Sequence, residues 1–489
     1  MEKRLNVATI SFKRLLSREG FVSFGLVIGT IFSIVELVIY KRGSTIFQIS
    51  LIALIYYIYN KFFNSHKIID NSLEKKANMS LLEKKSLSSY ELISWIIVLF
   101  FLIGAFILNN IFIDRYYLIT SLLLIILFST NLKMFIYASS LPLIKCKVMV
   151  GRYDAKYSNN QIIEKISNCR DIFMDIRGVV TNDKYFLENI HASNPKFVLQ
   201  IASSLMQNDD HSLSQAIKLE AETKEISKHY ISHINKFQGM GITGRINDEN
   251  FAIGNMKLMK EVDIVVGVLL REKIKLENQG KTVLVLAKTP AIKKNYERNP
   301  GEVIGLLIFN CSTQANYVQM NNYFVKQEID LTYLSGEEKS TLLTRVENIS
   351  NNKIISDITE MEKKNYIENR AEKQKDKIFI QISKKLVFEN SNIVNFIIDK
   401  PNQNLDSNSL LIDQYNPTKL IQIYENITKY YKKASFNYQF SWIYQLIIMI
   451  LSISVVRLSN SNYLYLVSFL LSILAEQIVI RNTNIKHKY

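Results

Sequence analysis

The sequence predicts a membrane protein of α-helical spans with a cytosolic α/β region placed between its fourth and fifth spans. Three observations indicate this class. Long apolar segments occur as four and then two, residues 140–433 alternate short β-rich apolar runs with charged helical stretches, and basic residues flank the apolar segments. In a chain of 489 residues, a hydrophobic share of 48% excludes intrinsic disorder.

The apolar segments approach the length of about 20 residues that a helix needs to cross a bilayer. They are apolar on all sides, whereas the buried helices of a soluble protein keep a polar face. We therefore predict six spans in a 4 + 2 arrangement: Phe21–Tyr40, Ile46–Phe63, Ile93–Ile113, Tyr117–Tyr137, Phe440–Val456 and Tyr463–Ile480.

The excess of basic residues indicates that the protein contacts a lipid bilayer, and it predicts on which side of the membrane the two ends of the sequence lie. The formal net charge is +16, and much of it lies beside the apolar segments, so we expect contact with a lipid bilayer and not with nucleic acid. Lysine and arginine cluster before the first span, between the second and third, and after the sixth, which predicts a multi-pass protein of the cell membrane with both ends cytoplasmic. The Lys41-Arg42 turn is an exception, because this orientation places two basic residues on the outer side of the membrane.

Three cysteines, none in a Cys-x-x-Cys pair, exclude a disulfide scaffold and a thiolate metal cluster. We predict no metal-ligating residue set in the chain.

A candidate nucleophile follows the first clear strand of the α/β region. The strand Asp171–Met174 runs directly into Asp175. Parallel sheets place reactive groups at the carboxyl ends of their strands, so Asp175 lies where a reactive carboxylate would be expected.

At this position the chain resembles the P-type ATPases, in particular their heavy-metal-transporting class. That family carries Asp-Lys-Thr-Gly-Thr-Leu-Thr, of which Asp175, Gly178 and Thr181 match. Ile176 and Arg177 replace the Lys and the first Thr. The resemblance implies a HAD-like Rossmann phosphorylation domain with Asp175 as a vestigial phosphorylation site, interrupted by an α+β nucleotide-binding domain.

The resemblance continues through motifs that contact nucleotide in that family. The stretch 209–212 resembles its Ser-Glu-His-Pro motif, with His211 retained and Asp210 in place of Glu. Gly239 and Gly241 match its Gly-x-Gly motif, and Asn255 matches its Gly-Asn. These residues imply binding of ATP or ADP. In the alternative interpretation the glycines are turn residues and His211 is a surface histidine.

The phosphate-site motifs are altered. Ser335-Gly336-Glu337 replaces Thr-Gly-Asp, which makes Ser335 and Glu337 candidate site residues by resemblance. Lys363 is a candidate for the family's downstream lysine. Its neighbours Glu362 and Lys364 equally indicate a solvated helix face, which is the interpretation we favour from sequence.

Two parts of the family's machinery have no counterpart. The Gly-Asp-Gly-x-Asn-Asp motif should follow the strand Lys377–Ile380, yet the chain carries Lys384 and Lys385 there. Mg²⁺ needs oxygen ligands, so we predict that its site is lost. The connection His66–Tyr90 is too short for the family's actuator domain.

The predicted organisation follows from these motifs. It comprises a cytosolic tail (1–20), membrane helices 1–2 (21–63), a short linker (64–91), membrane helices 3–4 (92–139), a phosphorylation-like domain (140–181 and 302–435), a nucleotide-binding-like domain (182–301), membrane helices 5–6 (436–480) and a cytosolic tail (481–489). Pro142 is the candidate for the family's Cys-Pro-Cys proline.

Two functions remain open on the sequence alone. The favoured one is a catalytically inactive pseudo-pump that serves as a binding, regulatory or scaffolding subunit with a membrane-protein partner or an actuator-like subunit in trans. The alternative is a divergent, active cation-transporting ATPase that works through an aspartyl-phosphate at Asp175. A phosphatase-like use of Asp175 on another substrate is a third, weaker interpretation.

Overall fold

The computed structural model describes residues 18–40, 44–63, 79–109, 116–292, 298–299, 301–346, 353–384, 386–399, 408–458 and 464–483. These residues fall into two compact units. One, the helical unit, lies within residues 1–152, 158–167 and 425–489, and the other, the α/β unit, lies within residues 153–157 and 168–424.

The helices follow the apolar and charged segments of the sequence. They are α1 Arg18–Tyr40, α2 Ser44–Phe63, α3 Leu81–Asn109, α4 Tyr116–Ser129, α5 Lys133–Gly151, α6 Gln161–Asn168, α7 Pro195–Leu205, α8 Ser212–Thr223, α9 Met256–Glu261, α10 Leu269–Glu277, α11 Tyr317–Lys326, α12 Lys339–Arg345, α13 Glu360–Lys373, α14 Pro417–Leu458 and α15 Leu464–Thr483.

The strands all lie in the α/β unit. They are β1 Ala155–Tyr157, β2 Asp171–Asp175, β3 Thr181–Ala192, β4 Ser232–Phe237, β5 Gly241–Ile246, β6 Glu249–Gly254, β7 Thr282–Lys288, β8 Ala291–Ile292, β9 Arg298–Asn299, β10 Glu302–Thr313, β11 Asp330–Leu334, β12 Ile354–Ile355, β13 Phe379–Ser383, β14 Ile393–Ile398 and β15 Ser409–Ile412.

Aromatic side chains and a glycine lie at contacts between helices of the helical unit. Phe128 of α4 meets Phe469 of α15 edge to face, with ring centroids 6.3 Å apart. Gly29 lets α1 approach α2, because a methyl group on Gly29 would lie 2.8 Å from the Cδ1 atom of Ile49. Buried polar contacts join the same helices, since the Asn131 side chain donates to the Ser472 carbonyl oxygen at 3.0 Å and to the Glu476 carboxylate at 2.8 Å.

Within the described residues, two stretches are long and apolar enough to cross a membrane, Leu122–Gly151 and Tyr465–Thr483. Two shorter apolar stretches are Gly25–Val35 and Gln48–Ile58. The count of six spans stays a prediction.

Two helices extend beyond the boundaries predicted for membrane segments. Helix α3 begins at Leu81, before the predicted span Ile93–Ile113, because Ser80 and Glu83 form a reciprocal cap: the Ser80 N–H donates to the Glu83 carboxylate at 2.8 Å, and the Glu83 N–H donates to the Ser80 hydroxyl at 3.1 Å. The end of the predicted linker 64–91, from Leu81 onward, is therefore helical. Likewise α14 runs without interruption across the predicted boundary at residue 435.

The fourth predicted span, Tyr117–Tyr137, is not one continuous helix. It is broken at residues 130–132, between α4 and α5, and α5 then continues through Pro142 to Gly151. The predicted boundary at residue 139 thus falls inside a helix. The helix interruption lies upstream of Pro142, so the assignment of Pro142 as the motif proline has no support from the backbone.

The larger sheet of the α/β unit is of the predicted Rossmann type. Its seven strands have the order β1-β15-β14-β13-β2-β11-β12, and every neighbouring pair is parallel except β1 with β15. Phe173 of β2 stacks on Phe379 of β13 with ring centroids 5.7 Å apart, and Ile367 of α13 belongs to the same buried cluster. We call this sheet and its helices the seven-stranded part.

A second sheet interrupts the first between β2 and β11. Its six antiparallel strands have the order β3-β10-β7-β6-β5-β4. One buried cluster joins it to α7 and α8, and another joins it to α9. We call residues 181–313 the inserted part. The insertion was predicted, but β10 pairs with β3 and β7 and so belongs to the inserted part, which corrects the predicted boundary at residue 301.

Candidate functional site

Asp175 is the last residue of β2 and is buried at the carboxyl edge of the seven-stranded sheet. The turn after it depends on Gly178, which adopts a left-handed conformation with φ +81°. A methyl group on Gly178 would lie 2.8 Å from the Cε atom of Lys384, so the Lys384 stem covers this turn. A lysine that follows β13 therefore packs beside the candidate nucleophile.

Lys363 lies in the site and not on a solvated helix face, so the interpretation favoured from sequence is wrong. Its side chain is 4% exposed, and its ammonium donates to Asp175 Oδ1 and to Glu360 Oε1, both at 3.1 Å. Helix α13 is held in place for this by a capping box between Thr359 and Glu362.

The charge state of Asp175 reflects two opposing influences. Burial raises the pKa of the Asp175 carboxyl above its ordinary value, while the Lys363 ammonium favours the ionised form and lowers it. The Glu360 carboxylate raises it further. The net direction is upward.

The loop after β11 places Ser335 and Glu337 at the same sheet edge, because β11 is the parallel neighbour of β2. Ser335 is buried, and its hydroxyl accepts a hydrogen bond from the Glu337 N–H at 3.1 Å. The Glu337 carboxylate binds Arg345 at 2.8 Å and accepts from Thr282 at 3.1 Å. The Glu337 carboxylate thus accepts hydrogen bonds from both the seven-stranded part and the inserted part.

The residues around Asp175 do not fit a Mg²⁺ site. Lys363 occupies the space between the carboxylates of Asp175 and Glu360, and Lys384 follows β13 where a ligand carboxylate would be needed. Among the residues that the structure describes, no group of three or more His, Cys, Asp or Glu side chains could hold a metal ion. Lys385 lies outside the described residues, and the loss of the magnesium site stays a prediction.

A cavity of about 800 Å³ lies between the seven-stranded and inserted parts. It brings together eight of the nine residues singled out from the sequence: Asp175, His211, Gly239, Gly241, Asn255, Ser335, Glu337 and Lys363. Asp210 is exposed and does not line it, whereas its neighbour Asp209 does. Burial raises the pKa of Asp209, but hydrogen bonds from Ser214 and Lys236 outweigh it, so the pKa is lowered.

His211 caps α8 and contacts the loop after Asp175. Its Nδ1 accepts from the Leu213 N–H at 3.3 Å, and its Nε2 lies 2.6 Å from Arg177 Nη1. Both neighbours are donors, and a neutral imidazole has one acceptor nitrogen, so His211 satisfies one of them at a time. Arg177 also pairs with Asp183 at 3.5 Å, and therefore with a neighbouring carboxylate and not with Asp175 itself.

The glycines and Asn255 have structural roles in the cavity wall. Gly241 adopts φ +149°, and a methyl group there would lie 2.1 Å from the Ile253 carbonyl oxygen. The Asn255 side chain caps α9 by accepting from the Lys257 and Leu258 N–H groups, and it donates to the Gly239 carbonyl at 2.9 Å. The turn interpretation of these residues is therefore sound, whether or not they also contact a ligand.

Sequence reasoning missed several charged side chains of the cavity wall. Lys273 is 2% exposed and lies 2.5 Å from Glu277 on the same helix and 3.1 Å from Glu338. Burial raises the pKa of Glu277 to about 7, against the opposing influence of Lys273. The i,i+4 spacing of Lys273 and Glu277 is the pattern of a solvated helix face, so no local signal distinguished them.

Replacing Lys363 with methionine is expected to lower the free energy of unfolding by about 3 kcal/mol, because the buried Asp175 carboxylate loses its ion-pair partner. The loss should shrink as the pH falls and Asp175 takes up a proton. The measurement is thermal unfolding of the full chain in detergent. Lys364→Met is the matched control: Lys364 is 46% exposed and lies 3.9 Å from Glu368, so its loss should cost less than about 1 kcal/mol. Equal losses in the two variants would place Lys363 outside the site.

Gly241→Ala should destabilise the protein by about 3 kcal/mol, because the added methyl group collides with main chain. Gly267 also has positive φ, at +58°, but a methyl group there would meet no atom within 4 Å, so Gly267→Ala carries only the conformational cost of roughly 1 kcal/mol. Differential unfolding of the two variants is the measurement. A Gly241→Ala protein as stable as Gly267→Ala would contradict the close approach of β5 to β6.

Comparison with known proteins points to the same family. No family model matches the chain. It is 22% identical over 215 residues to a probable copper-importing P-type ATPase A of Enterococcus hirae, and 22% identical over 208 residues to a copper-exporting P-type ATPase of Staphylococcus aureus. Each match covers 42% of this chain, but only 27% and 24% of the respective relative.

The fold is shared more widely than the sequence. A zinc-transporting PIB-type ATPase in its E2.Pi state superposes with a TM-score of 0.50 and 14% identity, covering 85% of this chain and 66% of that one. A zinc-transporting PIB-type ATPase in its E2P state superposes with the same TM-score of 0.50 and 15% identity, covering 85% of this chain and 65% of that one. With Asp175, Lys363 and Ser335 assembled at one sheet edge, these likenesses identify the chain as a protein similar to the heavy-metal P-type ATPases.

Proposed function

We propose that this protein is a P-type-ATPase-like membrane protein that has lost the catalytic cycle and acts as a binding, regulatory or scaffolding subunit. The observation that carries the proposal is the set of charges around Asp175. Lys363 binds the carboxylate directly. Arg177 lies two residues after the carboxylate and pairs with Asp183, and the stem of Lys384 covers the turn beside it while its ammonium pairs with Asp399.

Phosphoryl transfer to a carboxylate depends on positioning and on neutralising charge on the phosphate oxygens, for which related machinery uses Mg²⁺. A divalent ion needs several oxygen ligands. At this edge Arg177 and Lys384 occupy the loops after β2 and β13, and each pairs with a carboxylate, Asp183 at 3.5 Å and Asp399 at 3.1 Å, that a metal ion would otherwise use as a ligand. Asp175 is therefore assigned a structural ion-pair role.

One observation favours the alternative, an active and divergent cation-transporting ATPase. Lys363, Asp175 and Ser335 all line one cavity, and an intact nucleophile–lysine pair is what a phosphorylating site would need. This alternative requires a metal site and a dephosphorylating group from another protein. Labelling of Asp175 separates the two functions.

No acid-stable phosphoenzyme should form when the purified full chain is incubated with γ-labelled ATP and Mg²⁺, because no metal site neutralises the transferred phosphate. Label on the wild type should not exceed that on Asp175→Asn. Label present on the wild type and absent from Asp175→Asn would contradict the pseudo-pump proposal and establish the active alternative.

The proposal includes the membrane organisation. Six spans in a 4 + 2 arrangement, with both ends of the sequence cytoplasmic, agree with the basic flanks and with the apolar stretches of the helical unit. The segment between α2 and α3, residues 64–80, is too short for a domain. A partner membrane protein, or an actuator-like subunit in trans, would supply what this segment does not.

We further propose that the cavity binds ATP or ADP without a metal ion. Its volume of about 800 Å³ falls within the range of small-molecule sites. Six cations line it, of which Lys273 and Lys363 are buried in ion pairs. The other four, Arg177, Lys236, Lys257 and Lys260, would neutralise a polyphosphate, which would take the place of the carboxylates that now pair with the first three. Because His211 satisfies one donor at a time, a phosphate that accepts from Arg177 would remove this conflict.

ATP is therefore expected to bind the full chain with equal affinity in Mg²⁺ and in EDTA, as measured by calorimetric titration. Arg177→Gln should weaken binding about tenfold, since it removes a charge-assisted hydrogen bond of about 1.5 kcal/mol. His211→Asn removes the ring but retains a good helix cap, so it tests ring contact without unfolding α8.

Asp210→Asn serves as the matched control, because Asp210 is exposed and lies outside the cavity lining. It should leave the affinity unchanged. Binding that requires Mg²⁺, or binding that is indifferent to both Arg177→Gln and His211→Asn, would contradict a metal-free site in this cavity.

A further inference from the structure

A buried arginine connects the two parts of the α/β unit. Arg345 ends α12 of the seven-stranded part and is 5% exposed. Its Nε and Nη2 donate to the Gly280 carbonyl oxygen at 3.0 and 2.8 Å, and Nη2 donates to the Thr282 hydroxyl at 2.9 Å. Gly280 and Thr282 belong to the inserted part, so one guanidinium makes three hydrogen bonds across the boundary.

Glu337 completes this group. Its carboxylate binds Arg345 Nη1 at 2.8 Å within the seven-stranded part, and it accepts from the hydroxyls of Tyr185 and Thr282 in the inserted part. We call Tyr185, Gly280, Thr282, Glu337 and Arg345 the Arg345 cluster. The Arg345 cluster is charge-balanced, and the two groups that carry its charge each have partners on both sides of the boundary.

Two further contacts lie beside the Arg345 cluster. Lys273 of α10, 2% exposed, binds Glu338 of the seven-stranded part at 3.1 Å. The Thr344 hydroxyl donates to the Asn278 carbonyl oxygen at 3.1 Å. Residues 337–345, which include helix α12, thus contact the segment 273–282 of the inserted part at several points.

Another ion pair between the two parts, also in the cavity wall, is of a different kind. Lys257 and Asp357 lie 3.2 Å apart, but their side chains are 38% and 50% exposed. An exposed pair of this kind is screened by water and exchanges partners freely, whereas opening a buried pair leaves charges without compensation. The exposed Lys257–Asp357 pair therefore separates more readily than the buried Arg345–Glu337 pair.

We propose that the Arg345 cluster is a permanent latch that holds the inserted part and the seven-stranded part as one rigid body. The inserted part then cannot swing about its two connections to the seven-stranded sheet, and a molecule in the cavity does not drive closure. Tyr185, Thr282 and Glu337 of the Arg345 cluster line the same cavity as Asp175, but none of the cluster's hydrogen bonds involves Asp175, and the latch holds whether or not the cavity binds nucleotide.

The latch is tested by a distance distribution between spin labels on the full chain in detergent. Leu219→Cys on α8 and Val325→Cys on α11 place one label on each part, at side chains that are 66% and 54% exposed. The native Cys146, Cys169 and Cys311 are buried and should not take up label. We expect one narrow distance that is the same with and without ATP, and a broader or second distance in Arg345→Met.

Lys281→Met is the matched control, because Lys281 lies beside the Arg345 cluster but pairs with Glu188 inside the inserted part. It should keep the narrow distance. If Arg345→Met does not fold, Thr282→Val decides, since it removes only the hydroxyl shared by Arg345 and Glu337 and should broaden the distribution. A wild-type distribution that is broad or shifts with ATP overturns the latch, as does a narrow distance retained in every folded variant that disrupts the cluster.

Discussion

The parallel register of β2, β11 and β13 is the constraint on which the site depends. Because β11 and β13 are the parallel neighbours of β2, the residues that follow all three strands meet at one edge of the sheet. Asp175, Ser335 and Lys384 are brought together in this way from distant parts of the sequence. Three cations, Lys363, Arg177 and Lys384, lie around the buried Asp175 carboxylate, and they also pair with Glu360, Asp183 and Asp399 respectively.

The same edge explains how the inserted part is held. The loop that follows β11 carries Ser335 toward Asp175, yet two residues later Glu337 points to Arg345 and Thr282. One short loop thus connects the candidate phosphate edge to the boundary between the two parts.

Sequence patterns predicted the architecture better than the site. Strand β2 ending at Asp175, and the insertion that follows it, were readable because buried strands and spaced glycines are local signals. Lys363 and Arg345 were not, since a lysine in a Glu-Lys-Lys run looks the same whether it faces water or a carboxylate distant in sequence. Helix α3 extends beyond the predicted span for a related reason: it begins in a polar segment that a search for apolar residues passes over, although the Ser80–Glu83 spacing was a capping signal.

Binding of a divalent ion at Asp175 is the most direct test of the central claim. Mn²⁺ shares the oxygen-ligand preference of Mg²⁺ and is detected by its electron paramagnetic resonance spectrum. Titration of the full chain with Mn²⁺ should show no bound ion that depends on Asp175, so the wild type and Asp175→Asn should give the same free-ion signal. One tightly bound Mn²⁺ per chain in the wild type, absent from Asp175→Asn, would contradict the account and indicate a site able to hold the metal of a working pump.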